Sequence, residues 1–239
     1  MTDMRIADPA VKRVANESEI LEELLHLQGA VVLELGCGKA EKTRFIAKQA
    51  ASILALEVDE QQLAKNLAIT DLPNVRFAHG GAEKTSEADV SFDIVLMFKS
   101  LHHVPIDLMD SAFAEIKRVL KPGGVAYISE PVYAGDFNDI LKLFHDENVV
   151  RTAAFAAVQR AVAAGQLTLE SQTFFLQPMP FTDFAHYEEQ VLKVTHTDHK
   201  LADDIYEKVR TKFNAHMRSE GTIFHMPIRV DLLRKVQEN

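Results

Sequence analysis

Val31-Val32-Leu33-Glu34-Leu35-Gly36-Cys37-Gly38-Lys39-Ala40 is the stretch that decides how this chain is read. Four apolar residues within five positions predict a buried parallel strand, and a Gly-x-Gly turn follows at once. Glu41 to Ala51 then places Phe45, Ile46 and Ala50 at helical rather than alternating spacing. A strand that ends in a glycine turn and feeds a helix builds a crevice for a nucleotide-like ligand. Glycine lets the backbone come close to the ligand, and the helix start offers free N–H groups. Gly-x-Gly alone is common to many proteins, so its neighbours must decide.

About 20 residues past the glycines comes Ile53-Leu54-Ala55-Leu56-Glu57-Val58-Asp59, a second apolar strand ending in acid, and an acid there can accept hydrogen bonds from ribose hydroxyls. Val75 to Ala78 predicts a short third strand and Phe92 to Met97 a fourth. Asp107 to Leu120 predicts a helix, and Lys121-Pro122-Gly123-Gly124 a turn into a fifth strand, Val125 to Ile128. Strands alternating with helices from Val31 to Glu130 imply a parallel sheet covered on both faces.

Taken together, Glu34-Leu-Gly36-Cys-Gly38-Lys-Ala40, Leu56-Glu57, Leu101-His102-His103-Val104 and Arg118-Val-Leu-Lys-Pro-Gly-Gly124 resemble the core of class I S-adenosylmethionine-dependent methyltransferases over residues 31 to 131. The Lys-Pro-Gly-Gly turn separates the chain from nicotinamide-binding Rossmann domains. The resemblance implies an α/β fold, a Rossmann-like doubly wound sheet of about seven strands, mostly parallel with the last antiparallel. It also implies S-adenosyl-L-methionine as cofactor, with Glu34, Gly36, Gly38, Glu57, Val58, Ala82, Glu83 and Phe98 as its binding residues. Two departures stand out. Ala40 replaces the third glycine of the pattern, and Gly81 stands where the family usually has an acid that contacts the adenine amino group. That contact falls to Glu83, to backbone atoms, or is lost.

The 239 residues suit a single domain with an insertion, and 47% hydrophobic content supplies an ample core. No run of about 18 apolar residues predicts a membrane span. The charged first 30 residues lack a signal-peptide core, and the sole cysteine, Cys37, fits a reducing cytoplasm. A formal charge of −9 argues against a general affinity for nucleic acid. The expected state is a monomer or homodimer.

Asp8-Pro9 predicts a helix start, and Asn16 to Glu19 has capping-box spacing before the apolar face of Ile20, Leu21, Leu24, Leu25 and Leu27. Beyond Pro131, residues 132–186 read as a mainly helical cap inserted over the C-terminal edge of the sheet. Val191 to Thr195 is expected as the sixth strand, Leu201 to Ser219 as a long helix and Thr222 to Leu233 as the last strand. Pro227 within it implies an edge position or a bulge.

Methyl transfer needs little covalent help, because the sulfonium is already activated; rate comes from alignment and exclusion of water. Where an acceptor must lose a proton, His102, His103 and Glu130 are the candidate catalytic groups, beyond the fourth and fifth strands. Tyr133 and His145 are candidate substrate-binding residues. His196-x-x-His199 lacks a nearby third ligand, so no metal is expected. Met97-Phe98-Lys99-Ser100 replaces the Asp/Asn-Pro-Pro-Tyr/Phe motif of base and glutamine-amide methylation, and one cysteine excludes multi-thiol mechanisms. The expected acceptor is therefore a small organic molecule. The alternatives are a protein or RNA acceptor, or a silent cofactor-binding regulator.

Overall fold

The computed structural model describes residues 4–193 and 201–236. Its centre is a seven-stranded sheet in the order β3-β2-β1-β4-β5-β7-β6. β1 (Val31–Leu35), β2 (Ser52–Glu57), β3 (Val75–His79), β4 (Phe92–Phe98) and β5 (Leu120–Pro131) are parallel to one another. β7 (Thr222–Arg234) runs antiparallel between β5 and β6 (Thr168–Phe181). The expected doubly wound sheet with an antiparallel last strand is present.

Two-residue periodicity sends neighbouring side chains to opposite faces. Val32, Ile94 and Leu96 enter one core with Ile20, Leu21 and Ile46. Leu33, Val95 and Met97 enter the other with Phe113 and Ile116. α1 (Glu17–Leu24) therefore packs on the sheet, and its buried Glu17 accepts a 2.6 Å hydrogen bond from the Tyr127 hydroxyl on β5. Asn16 occupies the N-cap position, but its side chain bonds Glu19 at 3.1 Å instead of capping the helix.

Several expectations are corrected. Asp8-Pro9 starts a turn rather than a helix: the Asp8 carboxylate accepts from the Ala10 amide at 3.0 Å. Residues 132–186, expected as a cap, supply a strand of the main sheet, β6, and helices that cover it. α6 (Asn148–Ala163) lays Ala154, Ala157, Val158 and Ala161 into the core beside α4 (Met109–Val119), where small residues permit close approach. α5 (Asp136–Leu141) sends Phe137 into an aromatic cluster with Phe181, Tyr187, Phe213 and Phe224. The expected sixth strand does not start at Val191: 184–192 are helical turns, while Val194, Thr195 and the His196-x-x-His199 motif lie outside the described residues. β-Branched and aromatic residues in 168–181 carry the strand instead, followed by α7 (Phe184–Tyr187) and α8 (Asp203–Asn214).

Pro227 does not mark an edge strand, since β7 is paired on both sides. Its partner Leu176 directs its own N–H and C=O to Arg13 and Ala15, away from β7. Pro227 thus occupies a non-hydrogen-bonded pair with β6, and its side of the ladder toward β5 ends there, with its carbonyl accepting from Val132. The missing N–H breaks no rung.

Lys121-Pro-Gly-Gly124 forms a kink at the start of β5, where the pairing with β4 slips between Phe92 and Ile94. A Cβ on Gly124 would lie 2.9 Å from the Asp93 and Lys121 carbonyl oxygens. The kink is stitched to β7 by Gly123 N–H to the Lys235 carbonyl at 3.0 Å. A hollow lined by Asp93, Lys121, Gly124, Glu170 and Arg234 opens at this N-terminal end of the strands, opposite the glycine turn.

Candidate functional site

The strand order reverses between β1 and β4, which places the ligand crevice beyond their C-terminal ends. There the backbone turns through Gly36 at φ +78° and Gly38 at φ +49°, and Ala40 is also left-handed at +60°. The two glycines are not equivalent. A Cβ on Gly36 would meet the Ser100 Cβ at 2.7 Å, whereas one on Gly38 would meet nothing within 4 Å. We expect Gly36→Ala to lower stability by about 3 kcal/mol, from left-handed strain plus the clash, and Gly38→Ala by about 1 kcal/mol. Chemical denaturation of both variants checks the order, and equal losses would contradict it.

α3 (Glu60–Leu67) pins this turn from below: the buried Asn66 amide donates to the Gly38 carbonyl at 2.8 Å. The sequence reading missed Asn66, whose role depends on a contact 28 residues away in the chain. Cys37 is buried, and burial pushes its thiol far above the usual range, so it serves packing rather than chemistry.

Glu57 ends β2 beside the turn. Its carboxylate accepts from the Gly38 N–H at 2.8 Å and from the Val58 and Asp59 N–H groups at 2.9 Å each. Val58 is exposed at the rim, an unusual place for a β-branched apolar side chain. Across from it, Ala82 is buried and the Glu83 carboxylate lies where a Cβ on Gly81 would have to go. The loop bearing Glu83 is tied down through Thr85, whose N–H and hydroxyl each donate to Glu115 at 2.7 Å. Arg118 in turn binds Glu115 and Asp89, and the bonds from Arg118 and Thr85 hold the Glu115 carboxyl down at about 2.

Glu34 is buried and accepts from the Thr43 hydroxyl at 2.7 Å. Burial pushes its carboxyl up to about 7, against the help of Thr43. A carboxyl raised in the folded state favours folding below its unfolded value, near 4.5, and loses that contribution as pH rises through 7. Glu34→Gln is therefore expected to flatten the fall of stability between pH 5 and 8, and to raise stability at pH 8 by on the order of 1–3 kcal/mol. Melting curves across that range test it; an unchanged slope would contradict the assignment.

At the end of β4, Phe98 stacks at a tilt on Tyr127, with ring centroids 5.6 Å apart. Lys99 follows with φ +54°, a conformation that costs a lysine roughly 1–3 kcal/mol. Its Nζ donates to Gln177 of β6 at 3.0 Å, and burial lowers its ammonium below lysine's ordinary range despite Glu17, Glu130 and Glu41 nearby. The sequence reading used Lys99 only to exclude another motif. Its strained backbone and its β6 partner were its real signals, and both are tertiary.

The structure brings His102, His103, Glu130 and His145 together, with Glu147 added. His102 is buried on a short 3-10 turn, Leu101–His103; its Nδ1 donates to Glu130 at 2.5 Å and its Nε2 stands 3.5 Å from Glu147. Glu130 also accepts from the Leu101 N–H at 3.0 Å. Burial opposes charge on His102, but Glu130 and Glu147 outweigh it and push the imidazole up to about 9. Arg151 fastens the other Glu147 oxygen and itself bonds Asn138. His102 and Glu130 are thus committed to each other, not to open solvent. Tyr133 is half-buried beyond β5, with its phenol drawn up by burial and by Asp146.

Among the described residues, no helix is long and apolar enough to cross a membrane. Residues 32–124 match the methyltransferase domain family. A probable S-adenosylmethionine-dependent methyltransferase of Mycolicibacterium smegmatis is 35% identical over 115 residues, covering 47% of this chain and 42% of that protein. An uncharacterized methyltransferase of Synechocystis sp. is 30% identical over 105 residues, covering 44% and 49%. A ubiquinone biosynthesis O-methyltransferase of Aliivibrio fischeri is 29% identical over 113 residues, covering 46% and 47%. The chain thus spans about half the length of the curated relatives it matches. The YcgJ protein of Bacillus subtilis shares the fold with a TM-score of 0.68 at 17% identity, covering 92% of this chain and 98% of that one. The [4+2]-cyclase SpnF shares it with a TM-score of 0.58 at 20% identity, covering 92% and 80%. The domain match, the strand order and the glycine turn agree on a methyltransferase domain over residues 32–124, set in a class I-type sheet.

Proposed function

We propose that this protein transfers a methyl group from S-adenosylmethionine to a hydroxyl of a small organic acceptor. The observation that carries the cofactor half is the Glu57 carboxylate, fixed at the end of β2 by the Gly38, Val58 and Asp59 N–H groups beside the glycine turn, where it would accept from ribose hydroxyls. The cofactor supplies a methyl already activated on a sulfonium. Gly36 and Gly38 admit its amino-acid and ribose parts to the backbone, and the exposed Val58 offers an apolar face to adenine. Glu83 supplies the acid that position 81 lacks, because its carboxylate fills the space above Gly81.

The acceptor half rests on Lys99. Its amine reaches from the end of β4 to Gln177 on β6, with Glu17, Glu41 and Glu130 around it, and burial keeps it below its ordinary proton affinity. The acceptor hydroxyl gives its proton to that amine as its oxygen takes the methyl, and the sulfur leaves as a thioether. The A. fischeri relative is named an O-methyltransferase, which agrees with a hydroxyl acceptor. His102 and Glu130 form the floor beneath.

Calorimetry with S-adenosylmethionine and S-adenosylhomocysteine tests the cofactor half; stoichiometric binding of NAD with neither of these would overturn it. Because SpnF shares the fold and is a cyclase, turnover needs its own test. With a panel of small catechols, Lys99→Met is expected to lower methyl transfer by about a hundredfold or more. S-adenosylhomocysteine affinity should stay within about threefold, since a base acting on the acceptor contributes little to cofactor binding. Loss of cofactor binding in that variant would assign Lys99 to the cofactor instead.

A further inference from the structure

We propose that His102, His103 and Glu147 form a site for one divalent transition-metal ion on the acceptor side of the crevice. The sequence offered no such expectation, since Glu147 lies 44 residues beyond the adjacent pair His102 and His103 and this spacing matches no metal motif.

One ligand atom from each of the three residues can be chosen so that all lie within 4.8 Å of one another. The separation of His102 Nε2 and Glu147 Oε1, 3.5 Å, is long for a hydrogen bond. It suits two ligands of one ion: bonds of about 2.0–2.1 Å spanning 3.5 Å subtend roughly 115°, close to tetrahedral. The ion takes the place of the proton that Nε2 otherwise carries.

Both buried ligands are already aimed by outer partners, which is how metal sites fix ring orientation and carboxylate geometry. His102 Nδ1 donates to Glu130 at 2.5 Å, so Nε2 is the nitrogen turned to Glu147. Arg151 binds the far oxygen of Glu147 at 2.5 Å, leaving Oε1 for the site, and Arg151 is anchored by Asn138 Oδ1 at 3.0 Å. His145 Nε2 stands 3.0 Å from the same Oε1 but falls outside the three-residue group, so it is an outer partner rather than a ligand. His103 is exposed, with its ring centroid 4.1 Å from that of His102, so the site faces the crevice rather than the core. Nitrogen and carboxylate donors of this kind suit zinc, cobalt, nickel or iron rather than calcium or magnesium. An open position on the ion would take an acceptor oxygen; that use rests on the methyl-transfer reading, whereas the binding of the ion does not.

The test uses the full chain, stripped with chelator and dialysed, then titrated calorimetrically with zinc chloride, with the visible absorption of added cobalt(II) as a second readout. One ion per chain is expected. Glu147→Gln and His103→Ala should each weaken binding at least tenfold and bleach the cobalt band, while His225→Ala and His196→Ala should change nothing. His103 is exposed, so its variant stays informative if Glu147→Gln misfolds. Absence of one-to-one binding, full affinity in the His103→Ala chain, or loss confined to His196→Ala would overturn the proposal. S-adenosylhomocysteine binding to the metal-free chain is read separately, so failure of the methyltransferase reading and failure of the metal site remain distinct results.

Discussion

Glu57→Ala is expected to weaken S-adenosylhomocysteine binding about a hundredfold while the protein stays folded. A carboxylate accepting hydrogen bonds from two ribose hydroxyls contributes about 1.5–3 kcal/mol through each charged bond. Loss of roughly 3 kcal/mol is two decades of affinity. The same carboxylate accepts from the Gly38, Val58 and Asp59 N–H groups, so the variant also frees three donors. Val58 is exposed, and water can serve the donors at the rim, which keeps the stability loss near 1 kcal/mol. Glu57→Gln retains an acceptor oxygen and should fall between the two. Calorimetry measures the affinities and thermal melting the fold. An alanine variant binding within threefold of the parent would show that ribose is held elsewhere.

Asp231→Ala is expected to cost more stability than any other substitution considered. Asp231 and Arg229 are both buried, joined at 2.8 Å on β7 next to Glu130 of β5. Gln172 donates to the other Asp231 oxygen at 2.6 Å, and the Arg229 guanidinium lies over the Phe155 ring at 4.4 Å. Removing the carboxylate leaves a guanidinium charge buried without its partner, a change worth about 3–5 kcal/mol. For a domain of this size that lowers Tm by roughly 6–20 °C. Burial drives the Asp231 carboxyl upward even with Arg229 beside it, which shows how costly the desolvation is. The double variant Arg229→Met, Asp231→Leu should therefore recover most of the loss. Thermal melting of the three chains decides it, and a single variant melting within 2 °C of the parent would contradict the buried-charge account.

Both substitutions also show where the chain could be read in advance. Gly36, Gly38 and Glu57 were legible because strand, turn and next strand are contiguous, and the distance between them sets their geometry. Asp231 and Arg229 carry no such signal; two charges two residues apart on a strand read as a solvent-facing pair until β6, Phe155 and the N-terminal segment cover them. Residues 168–181 were not legible as part of the main sheet and fell within the expected cap, because pairing with a distant strand leaves no local mark. The helical character of much of 132–186 was recognised, yet which surface its helices cover depends on the sheet they meet.

By itself the sequence determined the alternating α/β core, the glycine turn and the acid that flanks it, since each depends on periodicity and on spacing within one or two adjacent elements. Tertiary structure alone decided that Lys99 is a strained, partly buried amine at the crevice and that Glu83 stands over Gly81. It also decided that His102 is flanked by Glu130 and Glu147. Those are properties of desolvation and of approach between distant segments, and no local pattern encodes which carboxylate will face which ring.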